Sequence, residues 1–139
     1  MLSKKTKYGL KALSYLAKQK QNVPVLISDI STSENISRKF LESILLSLKK
    51  NGILSSKKGK GGGYFLLKKP SEIKISTVMR VLEGPIAMLP CVSLNYYEKC
   101  EDCKDEECCS LNTLMAEVRD STLKILENKT LANFQCENK

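Results

Sequence analysis

From Lys4 to Gln19 the apolar residues Leu10, Leu13, Leu16 and Ala17 recur at helical spacing, with lysines on the other side. This pattern predicts an amphipathic helix, which Pro24 interrupts. Ser28 then reads as the N-cap of a short helix containing Ile30. A third helix begins at Ser37 and places Leu41, Ile44, Leu45 and Leu48 at i, i+3, i+4 and i+7. Lys49-Lys50 followed by Asn51-Gly52 is a C-terminal signature of cations and a left-handed glycine. Three helices within the first fifty or so residues, the last two separated by a short break, outline a helix-turn-helix.

Beyond Gly52 the period changes. Ile53-Leu54-Ser55-Ser56 and Tyr64-Phe65-Leu66-Leu67 are short β-capable runs, joined by the basic glycine-rich stretch Lys57-Lys58-Gly59-Lys60-Gly61-Gly62-Gly63. Such a pair predicts a β-hairpin, the wing of a winged helix. Ser76 is the expected cap of a short helix carrying Val78, Val81 and Leu82, stopped by Gly84-Pro85. Residues 86–107 show no sustained period, and from Ser110 a long amphipathic helix carries Leu111, Leu114, Met115, Val118, Thr122, Ile125 and Leu126. Its 3–4 spacing makes a coiled-coil-like seam that needs a partner, either the body of the chain or a second copy. The fold class is therefore mainly α with a small β-hairpin wing. Three sections are expected: a winged helix-turn-helix over 1–70, a short helix and cysteine-rich loop over 71–109, and a long amphipathic helix with its tail over 110–139.

Charge sharpens this division. Residues 1–70 hold 15 Lys and Arg against 3 Asp and Glu, whereas residues 71–139 hold 8 against 12, within a net charge of +8. A basic half of this size is the footprint expected for a polyanion, with a solvated basic surface as the competing reading. The loop lysines supply countercharge, and its glycines allow close approach to a sugar-phosphate surface. A phosphate-binding loop for nucleotides does not fit, because Gly-Lys-Ser/Thr is missing and the loop precedes a strand. With no apolar run approaching 18 residues and a charged N-terminal segment, no membrane span and a cytoplasmic location are expected.

All six cysteines lie in the acidic half: Cys91, Cys100, Cys103, Cys108, Cys109 and Cys136. Their clustering suits a metal or redox site better than a disulfide framework in an intracellular chain. The sequence contains no histidine, which removes His-based acid–base catalysis, Ser–His and Cys–His nucleophile pairs, and mixed His/Cys metal sites. A thiol oxidoreductase using Cys100-x-x-Cys103 is disfavoured, because that motif does not follow a strand and open a helix. The protein is read as a non-enzyme.

Several segments resemble the Rrf family of winged helix-turn-helix transcriptional regulators, the IscR-, NsrR- and CymR-like proteins. They are Lys7-Tyr8-Gly9-Leu10, Ile36-Ser37 with Phe40-Leu41-Glu42, Leu48 to Ser56, Gly59 to Tyr64, Cys109-Ser110-Leu111, Val118-Arg119-Asp120 and Thr130-Leu131. The resemblance runs almost the whole length and is most specific from Asn51-Gly52 to Tyr64. It implies a homodimer on a double-stranded DNA operator. The recognition-helix positions it implies are Ser37, Arg38, Lys39, Glu42 and Ser43. Glutamate can accept from cytosine N4 and serine can serve either base edge, although a plain helix-surface charge is the competing reading for Glu42. The implied wing positions are Lys57 on phosphate, Lys58, Gly59 and Lys60 in or beside the minor groove, and Gly61, Gly62 and Tyr64 beside them.

Sensor members of the family hold a [2Fe–2S] or [4Fe–4S] cluster on three cysteines plus one other ligand. The interval from Cys103 to Cys109 matches the family's last one, whereas Cys91 to Cys103 is longer and includes the extra Cys100. Asn112 and Lys7 stand where different members place a histidine or an aspartate ligand. A four-cysteine site of Cys91, Cys100, Cys103 and Cys109 resolves this, and four thiolates suit an iron–sulfur cluster or tetrahedral zinc. A thiol redox switch and inert cysteines are the further readings, with Cys108 an alternative ligand or free thiol and Cys136 incidental. The surrounding carboxylates are expected to raise the thiol pKa values in the metal-free protein.

Overall fold

The computed structural model describes residues 2–134; Cys136 lies outside the described residues. Helix α1 (Lys4–Ala17) starts where the Ser3 hydroxyl accepts from the Thr6 amide at 3.2 Å. Helix α2 (Ile27–Glu34) ends at Asn35, whose left-handed φ of 53° makes the turn into α3 (Arg38–Lys50). The Ser31 hydroxyl closes that turn on the Ile36 carbonyl at 2.5 Å. Strands β1 (Leu54–Lys57) and β2 (Gly63–Leu66) pair antiparallel, with Leu54 opposite Leu66 and Lys57 opposite Gly63. Helix α4 (Ile75–Leu82) and helix α5 (Ser110–Glu127) follow, with single 3₁₀ turns at Pro70–Glu72, Pro90–Val92 and Leu131–Phe134. The mainly α fold with a hairpin wing is thus the one expected. No helix among the described residues is long and apolar enough to cross a membrane.

The hydrophobic core gathers Leu10 and Leu13 of α1, Ile30 of α2, Leu41, Ile44, Leu45 and Leu48 of α3, Leu54 and Leu66 of the wing, and Val78 and Leu82 of α4. Gly9 allows α1 to cross α3 and α4 closely, since a Cβ there would run into Leu82 and touch Ile44. One position earlier, Tyr8 meets Phe40 of α3 edge-on, with ring centroids 5.7 Å apart. The Lys7-Tyr8-Gly9-Leu10 segment is thus the seat on which α3 rests.

Several boundaries differ from the local reading. The first helix ends at Ala17, two residues before Gln19. Ser28 and Ser76 lie inside α2 and α4; the N-cap positions belong to Leu26 and Lys74, neither of which makes a side-chain cap. The cause is long-range pairing. Val25 bridges Tyr64 through two backbone hydrogen bonds of 2.8 Å, and Lys74 bridges Thr130. Each bridge holds the chain extended just before a helix, so the helix starts where the bridge ends, whatever cap the local sequence offers. The Thr130 bridge also brings the segment after α5 back onto the body, where Leu131 is fully buried.

A polar knot joins the start of α1 to the end of α4. The Glu83 carboxylate accepts from the Ser3 amide at 3.1 Å, the Ser3 hydroxyl at 2.8 Å and the Thr6 hydroxyl. It also faces the N-terminal end of the α1 dipole. The Thr6 and Ser3 hydrogen bonds hold its pKa below the ordinary value of 4.5. A depressed carboxylate pKa contributes stability that is present above the unfolded value and lost as pH falls through the folded one. Glu83→Gln is expected to cost about 1 kcal/mol at pH 7, the scale of a charged hydrogen bond at a partly exposed site. In urea melts of both proteins the gap should close as pH drops below 4.5; a gap constant with pH would contradict this account of Glu83.

Candidate nucleic-acid interface and cysteine loop

The amphipathic period of α3 sorts its residues. Leu41, Ile44, Leu45 and Leu48 are buried, while Arg38, Lys39, Glu42, Ser43, Leu46 and Lys50 are exposed on the outer side. Ser37 is the N-cap, its hydroxyl accepting from the Phe40 amide at 3.3 Å. Arg38 lies 3.7 Å from the Glu42 carboxylate, one turn on. Ser43 donates to the Phe40 carbonyl at 2.8 Å, leaving its oxygen lone pairs outward for accepting.

The wing is fastened to this helix. Lys49 Nζ donates to Ser56 Oγ at 2.7 Å, and buried Ile53 and Leu54 tie β1 into the core beneath α3. Lys57, Lys58 and Lys60 are exposed around the hairpin turn, which the Gly62 amide closes on the Gly59 carbonyl at 3.0 Å. The glycines divide their labour. Gly59 and Gly61 face open space, whereas a Cβ on Gly62 would strike the Lys57 and Gly59 carbonyls. Gly63, at φ 149°, lets β2 approach the Val25 backbone where a side chain could not fit. Tyr64 is half-buried and packs on the core, so part of its ring is committed inward. The pairing of Val25 with the wing escaped local reading, since only Pro24 and two β-branched residues mark that segment.

Four of the cysteines occupy one neighbourhood. Cys109 is the N-cap of α5 and its sulfur accepts from the Asn112 amide at 3.4 Å, while the Asn112 side chain donates to Cys91 Sγ at 3.4 Å. Cys91, Cys100, Cys103 and Cys109 are half-buried and Cys108 is exposed. Burial, then the charge of Asp102, pushes the Cys100 thiol up. Burial, then the neighbouring Cys109 and Glu106, does the same for Cys103. At these two thiols the carboxylate effect expected from sequence is present, behind desolvation and, at Cys103, also behind the neighbouring Cys109. Tyr97 donates to Glu106 at 2.8 Å and braces the loop, and that carboxylate raises the phenol's pKa. Arg119 Nη1 donates to the Val92 carbonyl at 2.8 Å, which ties α5 to the turn that carries Cys91. Neither Asn112 as a thiol partner nor Arg119 as a brace was found from sequence; only their places beside Cys109 and in Val118-Arg119-Asp120 hinted at them.

The donor set of four thiols suits a thiophilic centre, which would offset the burial and the neighbouring negative charge that disfavour the Cys100 and Cys103 thiolates. Among the described residues no three His, Cys, Asp or Glu side chains converge to hold a metal ion, so occupancy would require the loop to draw in. Among the five described cysteines, alkylation of the reduced, metal-free protein is expected to modify exposed Cys108 fastest at neutral pH. The Cys100 and Cys103 rates should still be rising above pH 9.0, because their thiolates form late. Mass spectrometry showing Cys103 leading at neutral pH would contradict this.

The family model described as "Rrf2: Iron-dependent Transcriptional regulator" matches residues 2–137. An rrf2-like HTH-type transcriptional regulator of Rhodobacter capsulatus is 42% identical over 137 residues, covering 96% of this chain and 91% of the relative. The HTH-type transcriptional regulator IscR of Serratia proteamaculans is 32% identical over 133 residues, covering 96% and 77%. Among solved structures, CymR, the global cysteine regulator of B. subtilis, superposes with a TM-score of 0.77 at 30% identity, covering 96% of this chain and 95% of that one. T. potens IscR gives 0.76 at 26% identity, covering 96% and 85%. These relatives are named as regulators and not as enzymes, in agreement with the reading from the histidine-free sequence. The chain belongs to the Rrf2 family of DNA-binding transcriptional regulators.

Proposed function

We propose that two copies of the chain bind a duplex operator, with α3 of each in the major groove and the β1–β2 turn against the adjoining backbone and minor groove. The observation that carries this reading is the joint mounting of α3 and the wing, through the Lys49–Ser56 contact and the shared core under Leu54. Exposed lysines on both elements then meet phosphates as one rigid body. Ser37, Arg38, Lys39, Glu42 and Ser43 are assigned to the groove. Lys57 is assigned to phosphate, and Lys58 and Lys60 with Gly59, Gly61 and Tyr64 to the wing contact; Gly62, expected beside them, is buried and shapes the turn from within. In this reading residues 1–70 bind DNA, 71–109 sense and 110–139 dimerise, in the cytoplasm where the operator lies.

The second copy is assigned to α5. Leu123 is the buried residue of that helix, while Leu111, Leu114 and Ile125 stay exposed. Beside it runs an open groove of about 650 Å³, in which apolar Leu2, Ile86, Met88 and Val118 are interrupted by Glu83 and Arg119. Apolar surface of this kind is covered when two copies associate.

Cys91, Cys100, Cys103 and Cys109 are assigned as ligands of an iron–sulfur cluster, in line with the iron dependence in the family's description. When bound, that group supplies an anionic redox-active crosslink, whereas zinc on the same thiols supplies the crosslink alone. The chain's own residues then carry the signal. Drawing in Cys91 moves Val92, whose carbonyl is held by Arg119 of α5, and α5 packs on α4 beside the DNA-binding body. A change in the loop thereby alters how two wings are spaced.

Two measurements test this. With a duplex selected by the protein from a random library, binding is expected to fall steeply between about 50 and 200 mM salt. Lys57→Ala and Lys60→Ala should each flatten the slope by about 0.9 for every phosphate the missing lysine leaves unneutralised, roughly doubled in a dimer. Salt-insensitive binding would sink the DNA reading. Protein purified without oxygen is expected to be brown, with matched iron and sulfide that disappear in Cys91→Ala, Cys103→Ala or Cys109→Ala. Colourless protein with zinc, or with no metal after reconstitution, would remove the cluster and leave the DNA interface standing.

A further inference from the structure

The outer face of α3 contains one apolar residue. Leu46 is 45% exposed, although the four other large aliphatic side chains of the helix's central turns, Leu41, Ile44, Leu45 and Leu48, are fully buried. At about 100° per residue, Leu46 projects between the directions of Glu42 and Lys39, one turn beyond Glu42 and Ser43, with Lys50 one turn further on. A branched aliphatic group thus sits in the middle of the polar and basic strip. A single exposed leucine is ordinary on a protein surface. On this strip it is constrained, because the charge around it on α3 and on the wing is that of a surface made for a polyanion.

The inference rests on the DNA-binding reading above. A leucine can neither donate to nor accept from a base edge, and the one apolar group that a base pair presents in the major groove is the thymine 5-methyl. We propose that Leu46 is a specificity residue of this regulator that packs against a thymine 5-methyl in each half-site. One helical turn is about 5.4 Å and a base-pair step is about 3.4 Å, so that thymine lies one or two steps from the base pair facing Glu42 and Ser43. Glu42 and Ser43 then read polar edges, and Leu46 adds a requirement that hydrogen bonding alone cannot supply.

The test uses the full-length protein and a duplex that it selects from a random library. Each thymine is replaced in turn by uracil, which lacks the methyl and keeps the hydrogen-bonding edge. At one thymine per half-site, uracil is expected to weaken wild-type binding roughly fourfold, the value of one buried methyl group. Leu46→Ala should bind the thymine and uracil forms equally, and Leu46→Met, which keeps an apolar reach, should restore part of the discrimination. Because Leu46 is half exposed, thermal melts should show both variants folded. If the wild type discriminates at no thymine, or Leu46→Ala keeps every discrimination of the wild type, the proposal is overturned. The same holds if Leu46→Ala alters the oligomeric state without DNA and leaves the uracil effects unchanged, which would place Leu46 in a protein contact. Failure of the underlying reading has a separate sign: the wild type selects no sequence and its binding ignores salt.

Discussion

Burial of one side of α3 is the constraint on which the rest depends. Leu41, Ile44, Leu45 and Leu48 are all sequestered among α1, α4 and the wing. Sequestering four such side chains contributes about 6–12 kcal/mol before entropy is charged against it. The exposed Arg38–Glu42 pair contributes a few tenths of a kcal/mol by comparison. The rotation of the helix about its axis is thus decided from inside. What it presents outside follows as a geometric remainder: wherever the aliphatic residues go in, Lys39, Glu42, Ser43 and Leu46 must come out.

The wing inherits its position from the same core. Its two strands are short, and an isolated two-stranded hairpin has little stability of its own in water. Here β1 is anchored by Ile53 and Leu54 and by the Lys49–Ser56 contact, and β2 gains a further backbone partner in Val25. Gly63 is what permits that third segment to come close. The glycines of the turn therefore serve the protein's own backbone as much as any surface they meet. The exposed lysines are what remain free for a partner.

The cysteine region is built on a different principle. Between Val92 and Cys109 few side chains are buried, and order comes from separate polar braces: Tyr97 on Glu106, Asn112 on Cys91 and Cys109, Arg119 on Val92. A segment held this way can rearrange at small cost while the core stays intact. Its connection to the rest runs through α5, which keeps an exposed apolar side and a buried contact at Leu123.

The helical periods, the αL glycine after α3, the Ser37 cap, the hairpin and the Cys109–Ser110 start of α5 were all legible from residue order, because each depends on neighbours within about one turn. The candidate interface was legible for the same reason: α3's period separates core from outer residues, and the loop lysines follow one another in the chain. The starts of α2 and α4 were not legible. They are set by Val25 meeting Tyr64 and Lys74 meeting Thr130, pairings across 39 and 56 positions that override the caps offered by Ser28 and Ser76. The same holds for the Asn112 and Arg119 braces, for the knot of Glu83 with Ser3 and Thr6, and for the inward role of Gly62. Sequence by itself determined which faces are apolar and where basic charge and thiols are concentrated, because those properties belong to single residues and short periods. Only the tertiary structure decided what each segment is held against, because a contact across half the chain leaves no local pattern.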